Sequence, residues 1–330
     1  MDLKFQRLKK EIHKLNIIED KIVYKANIIN VDYFQLNPIY FDFPCEIHFT
    51  RFGRCNRVHN DINPIIFDDN TSYKVFVSCN EPASTPNREL PHRIIQNSHQ
   101  YDLILTTDSE VIENTSNAIL FPYGTTWLGK SSEENKHNDC LGVFDESILQ
   151  QIKTKENNIS FMSTNHFGHV GYDIRKTIWN NRHMIIPKTV FYSSTRFITN
   201  QLSWTGQSFS DTIHDGLLPD DDKINLFKSM FTIVVESNQE PWYFTEKIID
   251  ALLTKTVPIY WGATDIGKFF DPKGILSFNS IEDFFEIINN INENTYEQLK
   301  PYIEKNYILA QEYGRSIFDR IKETVEKEKK

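Results

Sequence analysis

The stretch from Phe231 to Ile275, FTIVVESNQEPWYFTEKIIDALLTKTVPIYWGATDIGKFFDPKGI, narrows most sharply what the chain can fold into. Phe231–Val235 is an apolar, β-branched run of the sort that forms a buried strand. The polar run from Glu236 to Trp242, broken by Pro241, reads as a loop. Thr245 offers an N-cap hydroxyl, and Ile248, Ile249, Leu252 and Leu253 follow at helical spacing. Val257–Trp261 is a second buried strand, closed by Gly262. Strand, loop, helix and strand make a right-handed βαβ unit, which binds ligands at the carboxyl ends of its strands and at the helix N-terminus. Tyr243, Glu246 and Lys247 sit at that spot. A helix N-terminus favours anions, and Lys247 adds a formal positive charge beside it. The residues alone therefore point to a pocket for a nucleotide or a diphosphate sugar.

Tyr-Phe-Thr-Glu-Lys-Ile-Ile-Asp at 243–250, with Val-Pro-Ile-Tyr-Trp-Gly at 257–262, closely resembles the donor-binding signature of the α1,3/4-fucosyltransferase family. The match is dense over about forty-five residues and weak elsewhere. The resemblance implies a GT-B fold, two Rossmann-like domains facing across a cleft, and an inverting transfer of fucose from GDP-fucose to a glycan. It implies no cofactor and no metal.

Such a transfer needs charge on the leaving diphosphate offset, base and ribose held, and the acceptor hydroxyl deprotonated. The resemblance assigns Arg175 and Lys247 to the diphosphate, Glu246 to the ribose and Tyr243 to the base. A guanidinium suits phosphate oxygens through its bidentate fork, and Arg175 is placed in the first turn of a helix from about Tyr172 to Asn180. Strand Ile159–Met162 and the loop Ser163–Gly171 precede that helix, a phosphate-binding arrangement without a clean G-x-G-x-x-G. Glu236 matches a family glutamate in Phe-Glu-Asn-Ser or Phe-Glu-Asn-Thr, where this chain has Val-Glu-Ser-Asn. It is assigned to orienting the sugar or stabilising charge on its ring.

Glu81 is the expected general base. It follows the strand Tyr73–Ser78 in the loop Cys79-Asn-Glu-Pro82, which resembles the family's strand-end loop rich in Asn, Glu and Pro. Glu89 and Asp102 are weaker substitutes, and the ordinary alternative for Glu81 is a solvated turn residue. Leu103–Thr106 and Ala118–Phe121 add further strands, so the first half suits a Rossmann-like acceptor domain.

At 330 residues the chain exceeds the size of a single core, and the expected division is 1–150 and 151–330, the second part binding donor and carrying C-terminal helices at 280–291 and 296–327. The polar segment 129–158 is the expected junction. A net charge of −9 argues against a dedicated nucleic-acid binder. Cys45, Cys55, Cys79 and Cys140 show neither zinc-site spacing nor a disulfide pattern, as expected of thiols in a reducing compartment. The charged, amphipathic N-terminus has no signal-peptide core, and no run of eighteen apolar residues occurs. The expectation is a cytoplasmic enzyme without a membrane span, of bacterial or viral type.

Competing assignments remain at this point. Asp220-Asp-Asp222 fits a metal-binding D-x-D, although acidic residues before Lys223-Ile-Asn-Leu-Phe also cap a helix. Arg51–Arg57 is a basic cluster that suits an acceptor, a phosphate or a solvated turn. His166 and His169 flank the 163–171 loop as polar groups rather than metal ligands. The same fold also serves other nucleotide sugars, DNA or protein acceptors, or catalytically silent sugar binding. Acceptor, linkage and oligomeric state are not legible.

Overall fold

Short apolar runs separated by polar connectors become strands and crossover helices in the computed structural model, which describes residues 23–26, 41–49, 73–78, 90–128, 143–163, 168–194, 215–218 and 223–330. The chain divides into two compact units, Met1–Tyr123 with Ile317–Lys330, and Gly124–Ser316. Each is an α/β unit built on an all-parallel sheet, as the sequence predicts.

The first unit runs β1 (Val23–Ala26), β2 (Cys45–Phe49), β3 (Tyr73–Ser78), α1 (Leu90–Asn97), β4 (Leu103–Thr106), α2 (Ser109–Asn114) and β5 (Ala118–Leu120). The strands lie in chain order across the sheet, with Val75 opposite Leu103 and Ile104 opposite Ala118. Phe76, Ile94, Tyr101, Ile104 and Val111 close one core. Asp102, a substitute candidate for the base, precedes β4 and accepts a hydrogen bond from the backbone N–H of Lys74 at 2.7 Å. That is the amino end of the strands, opposite the end where ligands bind, so the substitution fails.

The second unit continues with α3 (Ile148–Gln151), β6 (Glu156–Ser163), α4 (Val170–Asn180), β7 (Thr189–Ser194), β8 (Gly216–Leu218) and β9 (Ser229–Val235). It then adds α5 (Glu246–Leu253), β10 (Val257–Trp261), β11 (Leu276–Ser277), α6 (Ile281–Asn290) and α7 (Glu293–Gly314). Strand order is β11-β10-β9-β6-β7-β8, so the chain winds outward from β6 in one direction and outward from β9 in the other. The two central strands, β6 and β9, form a topological switch point. Helices following them must lie on opposite faces, because parallel crossovers share one hand. Alternate residues of the strands supply both cores. Val234 and Tyr260 pack with Ile248, Ile249 and Leu252 of α5 on one face. Phe161, Phe231, Ile233 and Ile259 pack with Ile178 and Trp179 of α4 on the other.

The domain boundary moves from 150 to Tyr123/Gly124, and the end of the chain changes sides. Leu128 and Ile152 are buried in the core of the second unit, and the Phe144 N–H donates to Gly314 O at 2.8 Å, so the described residues 124–128 and 143–150 are part of that unit rather than a junction. The helix expected over 296–327 is two helices, α7 and α8 (Ile317–Glu328), interrupted at Arg315–Ser316. Helix α8 belongs to the first unit, where Arg320 donates to Pro122 O at 3.1 Å and its guanidinium lies 5.3 Å from the centroid of the Phe121 ring. Ile317, Phe318, Ile321 and Val325 are buried.

Lys155, entering β6, donates to Phe227 O and, at 2.7 Å, to Thr256 Oγ1. Burial pushes its amine down from 10.5 to about 7. The unfolded state then holds the extra proton between about pH 7 and 10.5, so Lys155 makes stability rise with pH through that window. Thermal melts from about pH 7 to 10 should show that rise, worth roughly a few kcal/mol, in the wild type and a flatter profile in Lys155→Met. Parallel profiles would show that the amine titrates normally.

Candidate active site

The switch point places the carboxyl end of β9 beside the entry to α4, and Glu236 is the first residue past β9. Its side chain is wholly buried (0% exposed). A buried carboxylate is costly unless paired and hydrogen-bonded, and Glu236 is both. It accepts the Thr245 N–H at 2.9 Å on Oε1 and the Thr245 hydroxyl at 2.8 Å on Oε2, and Lys247 Nζ lies 3.3 Å from Oε2. Thr245 is the N-cap of α5, as predicted, so the strand-end carboxylate is tied directly to the helix start.

Lys247 bridges two acids. Its ammonium is 3.3 Å from Glu236, 3.3 Å from Glu246 and 2.9 Å from the Thr245 hydroxyl. Burial pushes the Glu246 carboxyl up, but the charges of Lys247 and then Lys223 outweigh it and hold the group below its usual value. One turn further along α5, Asp250 is also buried and accepts from Thr126 Oγ1 at 2.6 Å and from the Trp127 N–H at 3.1 Å. Lys223 completes the cluster, 4.0 Å from Glu246 and 3.4 Å from the centroid of the Trp127 ring.

Burial pushes Asp250 up to about 7, against the Thr126 hydrogen bond and the Lys223 charge. With its folded value above the ordinary 3.8, Asp250 contributes stability that is present below 3.8 and is lost as pH rises through about 7. Asp250→Asn should therefore gain on the wild type in melting temperature between about pH 5 and 8. A constant difference across that range would show that Asp250 is ionised throughout.

Arg175 lies in the second turn of α4 rather than the first, because the helix begins at Val170 with His169 as its N-cap. Its guanidinium donates twice to Val235 O, through Nε at 3.0 Å and through Nη2, and stacks 5.0 Å from the Tyr172 ring centroid. The arginine thus clamps α4 to the last carbonyl of β9. Gly171 makes this approach possible: its N–H donates to Ser237 O at 2.9 Å, and a Cβ there would lie 1.8 Å from Glu236 O. Asn238 Nδ2 and His169 Nδ1 are 2.8 Å apart. Tyr243, assigned to the base, is only 2% exposed, and its hydroxyl pairs with Ser237 Oγ at 2.9 Å, so it braces the loop. Trp242, in the left-handed region at φ 63°, turns that loop and is held by its N–H on Asp265 Oδ1 at 2.8 Å.

Glu236, Glu246 and Lys247 are therefore one contacting cluster, and Arg175 meets the same strand end. Glu81, Glu89, Arg51–Arg57, His166 and Asp220–Asp222 lie outside the described residues. Sequence reasoning missed Lys223, Thr126 and Trp127, which are remote in the chain from α5. Asp250 carried a signal, since it stands four residues after Glu246 and shares its helix face.

No family model matches the chain. It is similar to the α-(1,3)-fucosyltransferase FucT of Helicobacter pylori, 41% identical over 61 residues, which are 18% of this chain and 13% of that protein. The chain thus matches only about an eighth of the length of this curated relative. Among solved structures, an α1,3-fucosyltransferase with GDP-fucose aligns at TM-score 0.47 and 17% identity, over 92% of this chain and 89% of the other. The apo structure of OtsA aligns at TM-score 0.47 and 10% identity, over 78% and 68%. No helix among the described residues is long and apolar enough to cross a membrane.

Proposed function

We propose that the chain is an inverting, metal-independent glycosyltransferase of GT-B type that moves L-fucose from GDP-fucose to a glycan hydroxyl. The observation that carries this reading is the Glu236–Lys247–Glu246 cluster at the switch point, whose Glu246 and Lys247 belong to the Tyr-Phe-Thr-Glu-Lys run that resembles the fucosyltransferase donor signature. The second unit is assigned the donor and the first the acceptor.

In this reading the nucleotide enters over the N-terminus of α5. Glu246, held ionised, accepts hydrogen bonds from the ribose hydroxyls. Lys247 turns to the diphosphate, and Arg175 offers it guanidinium N–H groups besides those on Val235 O. Fixed positive charge there stabilises the leaving group as the bond from the anomeric carbon to the β-phosphate oxygen breaks. Glu236 keeps both hydrogen bonds from Thr245 and faces the positive charge developing on the sugar ring. The acceptor oxygen attacks from the opposite face, which inverts the anomeric carbon, and its proton passes to Glu81. GDP leaves with the electron pair of the broken bond.

Incubation with GDP-fucose and an oligosaccharide panel should give GDP and a product heavier by one deoxyhexose, with inverted anomeric configuration by NMR. Glu81→Gln should lower turnover by about 10²–10⁴ while leaving GDP affinity within about twofold. Full turnover in Glu81→Gln would remove the base assignment, and transfer from a UDP-sugar alone would remove the donor.

A further inference from the structure

We propose that Lys223 is a positioning residue, the counter-ion that keeps Glu246 ionised and in place when Lys247 turns to the leaving diphosphate. The inference rests on the GDP-fucose reading above and concerns the ribose end of the same site.

The charges around α5 raise the question that Lys223 answers. Glu236, Glu246 and Asp250 are all buried, and among the described residues Lys247 and Lys223 are the ammonium groups set against them. Before a nucleotide binds, Lys247 serves Glu236 and Glu246 equally, at 3.3 Å each. An ammonium drawn to a diphosphate can no longer serve both. Glu236 keeps the Thr245 N–H and hydroxyl, at 2.9 and 2.8 Å. Glu246 stands one helical turn from the buried Asp250, which repels it whenever that carboxyl is ionised. The cation still facing Glu246 is then Lys223, at 4.0 Å.

Lys223 is well held for that task. It is the N-cap residue of the 3₁₀ turn Ile224–Lys228, and its side chain is 14% exposed, against 28% for Lys247. Its ammonium lies 3.4 Å from the centroid of the Trp127 ring, a cation–π contact that helps fix its position. Trp127 is fixed in turn by its backbone N–H on Asp250 and by the neighbouring Thr126 hydroxyl on the same carboxylate. Lys223 also lowers the carboxyl values of both Glu246 and Asp250. The groups around Glu246 thus divide the work: Lys247 is the more exposed cation, bridging two acids, and Lys223 is the more buried one, built into the wall.

Calorimetry with GDP and with 2′,3′-dideoxy-GDP on wild type, Lys223→Met and Lys223→Arg separates this role from a merely structural one. Lys223→Met should weaken GDP binding by about tenfold near pH 7 and further toward about pH 5.5, as Glu246 takes up a proton. The loss should fall within about twofold for the dideoxy nucleotide, which offers Glu246 no ribose hydroxyls, and Lys223→Arg should restore GDP binding. Equal losses for both nucleotides, or no loss for GDP, would overturn the assignment. A wild type that binds neither nucleotide would instead bring down the donor reading itself, and this inference with it.

Discussion

Lys247→Met is expected to lower GDP-fucose turnover by about 10²–10³, because one substitution removes the charge proposed to meet the diphosphate and the shared counter-ion of two buried carboxylates. The second consequence appears without substrate. Breaking a buried ion pair by deleting one partner costs roughly 3–5 kcal/mol, so the melting temperature should fall by several degrees. Adding Glu236→Gln to Lys247→Met should recover much of the stability and none of the turnover, since it removes a charge left unpaired. Steady-state kinetics beside thermal melts on the single and double variants check both parts. Unchanged turnover in a folded Lys247→Met protein would mean that another group meets the diphosphate.

Gly171→Ala is expected to damage both stability and binding without altering any charge. Its Cβ would lie 1.8 Å from Glu236 O and 2.8 Å from Ser237 O, and both obstacles are backbone. Either α4 moves outward or the Glu236 loop moves away from the switch point. Overpacking of this kind costs about 1–3 kcal/mol or more, and both movements stretch the Arg175 clamp on Val235 O. A lower melting temperature with at least about tenfold weaker GDP binding is the expected pair of results. Gly168→Ala provides the contrast: that residue has φ +95° but nothing within 4 Å of an added Cβ, so its cost is backbone strain alone, about 1–2 kcal/mol, without displacement of Glu236. Equal effects of the two substitutions on GDP binding would contradict the close-packing account.

The parts legible in the sequence share one physical property: their signal is local. Tyr73–Ser78, Leu103–Thr106 and Val257–Trp261 are continuous apolar runs, and they are strands over those same residues. Thr245 stands before a helical repeat, and it caps that helix. Errors arise where local chemistry was weaker. Helix α4 begins at Val170 behind His169, which makes no side-chain capping bond, so its start carries no polar cap signal and Arg175 falls in the second turn where the sequence predicts the first. The break after Gly314 had a glycine as its marker, and that glycine also admits Phe144 and Leu253 within 3.0 and 3.3 Å of where its Cβ would be. The return of α8 to the first unit depends on contacts such as Arg320 to Pro122, across 198 positions, which no window of sequence reveals. The same holds for the site. Glu246 and Lys247 announce themselves in one motif, whereas Thr126 reaches Asp250 across 124 positions, and Lys223 finds Trp127 only when the sheet is complete.

The cluster at the α5 N-terminus is proposed to bind a guanosine diphosphate sugar without metal. Calorimetric titration of GDP-fucose, GDP-mannose, UDP-galactose and UDP-glucose, with and without EDTA, tests it most directly. GDP-fucose should bind in preference to the others, unchanged by EDTA, and binding should be lost in Lys247→Ala and Arg175→Ala. Binding of a UDP-sugar only when a divalent metal is supplied would contradict it and move attention to Asp220–Asp222.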